Sequence, residues 1–421
     1  MQPFSDKPYR FFEPRYKPRI ASLLRAFGRR VVLPVDRRIA RVDTAGGELV
    51  REARGNGTRI LFLPNHPTHA DGQILMEAAR KIGTTTCFMA AYDVFSKSRI
   101  RAWTLQALGC FSVDRECCDR LALRQAQTVL VEGRLPLTVF PEGHVYLQND
   151  RVTPFSEGAL YIGLAAARQL AEQGERLLAV PVAIKATFIV DVRPRLRRRI
   201  RRLANAVEAE IDPSRPPREA LRAIGLRALT LNLRRRGISL AEDGTLPDRL
   251  HHALELVLES LGKHLGTPHG ADMSAMERIR HARRTAHEVL LDPARDAEHA
   301  AARRWSDEAM LAWRIASYSG DYVREHPSID RIGETVEKLE EDAFSHFGRP
   351  IGPRRAEVRF GTPLDLTEVV AGGGKPKSLV AELTSRIETS VQEGLDAINE
   401  TNHDIGSRLW DGPLGEVSRT R

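Results

Sequence analysis

The sequence predicts an α/β protein carrying a large α-helical insertion, on three observations. Two compact apolar runs, Arg59-Ile60-Leu61-Phe62-Leu63 and Leu177-Leu178-Ala179-Val180-Pro181-Val182-Ala183-Ile184, have the length and composition of buried strands. Directly after the first, Ala70 to Ile82 places Ile74, Leu75, Ala78, Ala79 and Ile82 at helical spacing. Between Lys185 and Arg355 the chain is rich in Ala, Leu, Glu and Arg at helical spacing, as in Leu250 to Leu265 and Glu334 to Phe344, without a convincing strand.

Taken in order, the elements begin with a basic stretch. Arg15 to Val32 reads as a helix with Ile20, Leu23, Leu24, Phe27 and Val31 on one side and Arg19, Arg25, Arg29 and Arg30 around the other, and Pro34 is expected to stop it. Such a helix can lie on anionic lipid or pack on a sheet with its arginines solvated, and both readings stay open. Gly109-Cys110-Phe111-Ser112-Val113-Asp114-Arg115 is a glycine-led strand, and Leu137 to His144 is a strand running into a Pro-Glu-Gly turn. The run at 177–184 is interrupted by Pro181. Pro213 to Pro217, Gly266 to Ala271 and His326-Pro327 punctuate the helical insertion. A final amphipathic helix runs from about Lys377 to Asn399, and the tail beyond Asn402 is expected to be loose. The expected organisation is therefore a basic helical segment at 1–40, a core at 41–190, the insertion at 191–354, a closing strand and helix at 355–401, and a tail at 402–421.

Composition sets outer bounds. A chain of 421 residues exceeds the usual single-domain size, and 42% apolar residues suffice for a sizeable core. No apolar run reaches the roughly 18 residues of a membrane span and no signal peptide is visible, so a cytoplasmic location is expected. Cys87, Cys110, Cys117 and Cys118 follow no metal-ligand spacing and are expected as reduced structural thiols. The net charge of +9 includes a second cluster, Arg193 to Arg202, able to meet phospholipid headgroups, the phosphates of coenzyme A or an acidic carrier protein, or to be a solvated helix face. No aromatics are interleaved with it, which argues against nucleic acid. His251, His252, His264 and His269 have no carboxylates at ligand spacing and read as solvated or packed.

Chemistry concentrates in Asn65-His66-Pro67-Thr68-His69-Ala70-Asp71, at the exit of the first strand. His66 falls in a strand-to-helix loop, which in open α/β sheets faces the ligand crevice. Asp71 falls near the helix start, where a carboxylate caps free N–H groups or orients an imidazole. A neutral histidine held by a carboxylate suits proton abstraction near neutral pH, while a capping aspartate and a backbone-satisfied loop histidine would carry the same letters.

The segments that follow separate these readings, because in this order the chain resembles the glycerolipid acyltransferase family. The family's NHxxxxD block matches Asn65, His66 and Asp71; its GxxFxxR block matches Gly109 and Arg115, with Phe111 one place early. FPEGTRS matches Phe140, Pro141, Glu142 and Gly143, and the fourth block, an apolar strand with a central proline, matches Pro181. Pro154 to Ala159 and Val358 to Leu364 look like later family segments. The third block continues His144-Val145-Tyr146 where the family has Thr-Arg-Ser, so the usual basic residue beside the acceptor phosphate is missing; Arg151 is a nearby alternative.

The resemblance implies a mixed sheet flanked by helices and transfer of a fatty acyl group to an acceptor hydroxyl. The implied donor substrate is acyl-coenzyme A or acyl-acyl carrier protein, with no permanently bound cofactor, and the implied acceptor is a lysophospholipid or glycerol phosphate. His66 would be the general base and Asp71 its orienting carboxylate; Asn65, Arg115, Glu142 and Gly143 would bind substrate, Arg115 at the acceptor phosphate. The implied setting is peripheral, on the inner face of an anionic membrane, with no nucleic acid. Two rivals remain: a metal-dependent hydrolase using His66, His69 and Asp71 as ligands, where Gly72 stands in place of a further histidine, and a non-catalytic lipid or nucleic-acid binding protein.

Overall fold

The structure, a computed structural model, describes residues 9–115, 119–240, 243–266, 273–345, 348–373 and 376–415. The chain divides into two compact units, one formed by residues 10–191 and 352–407, the other by 1–9, 192–351 and 408–421. In the first unit α1 (Pro18–Phe27) continues as a π-helix (Gly28–Asp36) into β1 (Ile39–Ala45), α2 (Glu48–Gly55), β2 (Arg59–Pro64), α3 (Asp71–Lys81) and β3 (Cys87–Ala91). There follow α4 (Tyr92–Ser96), α5 (Arg99–Ala107), β4 (Phe111–Val113), α6 (Arg120–Glu132), β5 (Leu137–Thr138), α7 (Gly158–Glu172) and β6 (Leu177–Phe188). After the second unit come β7 (Arg354–Phe360), β8 (Leu364–Asp365) and a long helix, Pro376–Thr401.

Among the described residues the strands form one mixed sheet in the order β1-β7-β6-β2-β5-β3-β4, with β8 also on β6. The run from β6 through β2, β5 and β3 to β4 is parallel; β7 and β8 are antiparallel to β6. Alternation along β2 explains why its sequence is continuously apolar. Ile60 and Phe62 join Ile74 and Leu75 of α3 in one buried cluster, whereas Leu61 and Leu63 join Leu160 of α7 and Leu383 of the long helix in another. A parallel strand covered on both faces has no solvated side to mark with polar residues.

Pro181 does not interrupt β6, as expected from sequence, because its missing N–H falls where none is required. Antiparallel pairing with β8 ends at Ala179 and pairing with β7 begins at Val182, while the Pro181 carbonyl accepts from the Gly361 N–H. Gly361 must be glycine, since a Cβ there would lie 2.9 Å from Pro181 Cγ. Pro34 likewise fails to stop its helix. Proline breaks an α-helix by clashing with the carbonyl four residues back, and widening to π geometry relieves that clash; the Arg37 N–H accordingly reaches Val32 O.

Two asparagines extend the sheet beyond the end of β2. Pairing of β2 with β6 runs only to Pro64 and Val182, which would leave buried peptide groups further along β6 unmet. Asn65 donates Nδ2 to Ile184 O at 3.0 Å and accepts the Ile184 N–H on Oδ1 at 2.7 Å; Asn149 makes the same pair with Ala186, at 2.7 and 3.0 Å. Each side-chain amide thus replaces a strand peptide. Beside them, the Asp150 carboxylate accepts from buried Lys185 Nζ.

The second unit is helical, from Arg193–Val207 through Ile329–Phe344. Its basic helix turns much of its charge inward. Arg195, Arg197, Arg199 and Arg201 donate to the carbonyls of Ile351, Leu414, Arg349 and Gly415, Arg199 also pairs with Glu340, and Arg202 lies over Phe344. As far as Gly415, the last described residue, the stretch after Asn402 is not the loose tail expected. Asn402 is buried and donates to Thr187 Oγ1, while Trp410 and Leu414 are buried in the helical unit, the Trp410 N–H bonding Pro327 O and the Leu414 N–H bonding Arg215 O. His264, expected without a carboxylate partner, lies 3.2 Å from Glu308; His269 falls outside the described residues. Burial pushes the Cys87 and Cys110 thiols up, Cys110 to about 12, keeping both protonated; Cys117 and Cys118 lie outside the described residues.

The clamps give a direct test. Asn65→Leu or Asn149→Leu leaves one N–H and one C=O of β6 buried and unpaired, and each is expected to cost about 1–3 kcal/mol or more of unfolding free energy in denaturant titrations. Stability unchanged in both variants would show that water or relaxation meets those groups.

Candidate active site

The residues singled out from sequence, Asn65 apart, lie at the carboxyl ends of neighbouring parallel strands: His66 and Asp71 after β2, Glu142, Gly143 and His144 after β5, and Arg115 after β4; Asp93, after β3, joins them. This is where an open α/β sheet offers a crevice.

His66 and Asp71 form the centre. Asp71 is fully buried at the first position of α3, yet it does not cap that helix. Its Oδ2 lies 2.8 Å from His66 Nδ1 and accepts the Thr68 N–H at 2.8 Å, while Oδ1 accepts the Thr68 hydroxyl at 2.6 Å. Thr68 Oγ1 in turn accepts the Ala70 N–H, so the loop is tied around the carboxylate. A carboxylate acceptor fixes the hydrogen on Nδ1 and the lone pair on Nε2. The ring stacks on Phe140 at 4.0 Å between centroids, and Phe140 stacks on Phe88. His66 keeps 21% of its side chain exposed, which leaves Nε2 as the nitrogen able to meet a substrate.

Glu142 supports the loop from the other side. It is buried; Oε1 accepts the His66 backbone N–H at 3.0 Å and Oε2 accepts the Thr153 hydroxyl. Burial pushes the Glu142 carboxyl up to about 8, against the Thr153 and His66 hydrogen bonds that favour its charged form. Gly143 follows with φ +73°, a left-handed turn that glycine adopts without strain.

Arg115 is held at the rim. Nη1 donates to Gly143 O at 2.9 Å and lies 3.0 Å from His144 Nδ1, while Nη2 pairs with Asp93 at 3.2 Å. Its charge is already opposed by a carboxylate. Asn65, expected to bind substrate, is fully buried with both ends of its side-chain amide on Ile184. The metal-ligand alternative is not built either, since Asp71 faces His66 and Thr68, and among the described residues no three His, Cys, Asp or Glu side chains converge to hold an ion. Sequence reading missed Thr68, Asp93 and Thr153. Thr68 had a local signal, an Ser/Thr-turn residue three before a carboxylate; Asp93 and Thr153 had none, because they meet the site only through strand order and a long loop.

A half-buried histidine held by a fully buried aspartate at the strand ends of an α/β sheet, with Nε2 left open, has the geometry of a general base. Residues 41–185, from within β1 to within β6, match the family model described as Acyltransferase, which supports acyl transfer in general terms. No curated protein matches the chain.

The raised Glu142 carboxyl predicts a pH signature. Below the ordinary carboxyl range folded and unfolded chains both hold this proton. Between that range and about pH 8 only the folded chain does, so its contribution to stability falls as pH rises, by at most about 1.4 kcal/mol per pH unit. Glu142→Gln has no proton to lose. Its stability relative to wild type is expected to climb between roughly pH 5 and 8 in denaturant titrations, and a constant difference would mean that Glu142 is ionised throughout.

Proposed function

We propose that this protein transfers a fatty acyl group from acyl-coenzyme A or acyl-acyl carrier protein to a hydroxyl of a lysophospholipid or glycerol phosphate, working at the surface of an anionic membrane on its cytoplasmic side. The observation that carries the reading is the 2.8 Å contact between His66 Nδ1 and buried Asp71, which leaves Nε2 basic and open at the strand ends. The acceptor hydroxyl gives its proton to Nε2 as its oxygen forms a bond to the thioester carbon. Collapse of the tetrahedral intermediate then breaks the C–S bond, and the proton held on His66 passes to the departing thiolate. Asp71 stabilises the imidazolium between these steps. No covalent acyl-enzyme is needed.

By resemblance Arg115 is the cation for an acceptor phosphate, which would compete with Asp93 for it. The helical unit has no role in the steps derived.

His66→Ala is expected to lower kcat/KM for acyl transfer by roughly 10²-fold or more with an unchanged melting profile, and Asp71→Asn should also be severely impaired, by disturbing the tautomer. Near-normal turnover of a folded His66→Ala protein would sink the mechanism. Asp93→Asn releases the guanidinium, so it should lower KM for a phosphate-bearing acceptor while leaving KM for the thioester donor in place. Arg115→Ala should do the reverse, at a cost on the order of 1.5–3 kcal/mol in acceptor use. If neither change distinguishes phosphate-bearing from phosphate-free acceptors, Arg115 does not hold a phosphate.

A further inference from the structure

The N-terminal helix has two apolar stripes, and only one of them is covered. Ala21 and Leu33 are buried and Leu24 packs against the core. On the other side Leu23, Phe27, Val31 and Val35 follow one another at steps of four, each between 41% and 73% exposed. A step of four overshoots one α-helical turn of 3.6 residues, and the wider π turns after Phe27 offset that drift, so the change of helix type keeps the stripe in line.

Helix α5 runs beside it in the opposite sense. Backbone N–H groups of Arg15 and Lys17, just before α1, bond Gln106 and Ala107 carbonyls at the end of α5. At the other end Arg37, just past the π-helix, lies near Lys97, just before α5, and Arg101 within it: both stay exposed as residues, and their pKa values are lowered by partial desolvation first and then by neighbouring cations, Arg101 and Arg37 for Lys97 and Arg37 for Arg101. Helix α5 exposes two more large apolar residues, Ile100 at 77% and Trp103 at 46%. Exposed Arg19, Arg30, Lys97, Arg99 and Arg101 lie on the same two helices or at their ends. Two acids act on that end, Asp36, which is paired with Arg37, and Asp93, which is paired with Arg115. Arg25, by contrast, turns inward over Tyr16.

We propose that the stripe Leu23, Phe27, Val31 and Val35, together with Ile100 and Trp103, is the face by which this unit seats itself on an anionic lipid bilayer. The proposal deepens the lipid-acceptor reading above and rests on it. Apolar side chains ringed by cations, with a tryptophan among them, match the acyl and headgroup layers of such a surface. A second copy of this chain fits less well, because a two-fold contact through this face would set its cations against their own duplicates. The face also continues towards the site: α4, which leads into α5, carries Asp93, the partner of Arg115. An acceptor drawn from the bilayer would therefore enter at the rim formed by Arg115 and His144.

The test uses the full chain in flotation with phosphatidylcholine vesicles with and without phosphatidylserine, beside light scattering of the protein alone. Wild type is expected to float with the phosphatidylserine vesicles, less so in raised salt. The pair Phe27→Asp and Val35→Asp, and separately Ile100→Asp, should bind on the order of tenfold more weakly or worse. Both should keep turnover on a short-chain, water-soluble acyl thioester and a monomeric acceptor, since none of these side chains touches the site. Variants that float like wild type, or a wild type that does not float, would overturn the assignment. So would a wild-type dimer that these substitutions split without vesicles present. Absence of acyl transfer by wild type to any acceptor is a different result, which removes the functional reading whatever the vesicles show.

Discussion

Everything at the site depends on how the chain leaves β2. Strand β6 continues past its neighbour, and its buried peptide groups at Ile184 require partners. The Asn65 amide supplies both at once, and in doing so pins the first residue of the loop against the sheet. His66 is the next residue, so its position is fixed by a backbone obligation one residue earlier. The Glu142 carboxyl group then takes the His66 backbone N–H, Asp71 takes Nδ1, and Phe140 takes the ring face. His66 is thus held at its backbone, at Nδ1 and on its ring face and left open at one ring nitrogen, a preorganisation that general-base catalysis needs.

Loop and scaffold are coupled by the same economy of partners. Thr153 bonds Glu142, Phe155 N–H bonds Glu388, and Val152 N–H bonds Gln392 of the long C-terminal helix. A residue more than 200 positions from His66 thereby steadies the loop that carries Glu142. Arg115 performs a similar service by tying the Gly143 carbonyl and His144 to Asp93. It is as much a strut of the rim as a charge offered to a ligand.

The sequence makes the local parts of this arrangement legible and the non-local parts obscure. His66 and Asp71 stand five apart across one loop, so spacing alone places them together. Asp93 is no different in composition from any helix-start aspartate, and only the adjacency of β3 and β4 brings it to Arg115. Asn65 was legible as a motif residue, but its work on Ile184 needs the overhang of β6 to be known. Both prolines disrupt less than their letters suggest: Pro181 sits in a gap between two partners, and Pro34 sits in a widened helix, both local conditions that letters do not show. Arg25 was grouped with its outward neighbours by helical spacing, whereas tertiary packing turned it onto Tyr16. The tail beyond Asn402 looked loose because it is polar and short, although Trp410 and Leu414 anchor it.

Sheet order bears on the order in which the chain can be assembled. β1 is synthesised before the other strands of its sheet, yet its ladder partner is β7, more than 300 residues later, and β7 also closes the open side of β6. Until Arg354 to Phe360 have emerged, β6 presents an unpaired apolar edge and β1 has no ladder to join. A nascent chain of this topology must therefore complete 192–351 with a sheet edge exposed, the condition under which strands pair with the wrong neighbour. The insertion need not lengthen the search once it has folded. Phe188 pairs with Arg354, and the Ile189 N–H reaches Pro353 O, so the chain leaves and re-enters the sheet at adjoining points. A folded insertion holding its own ends near one another would turn a loop of more than 150 residues into something close to a hairpin turn, lowering the entropy of closure that the last strand has to overcome.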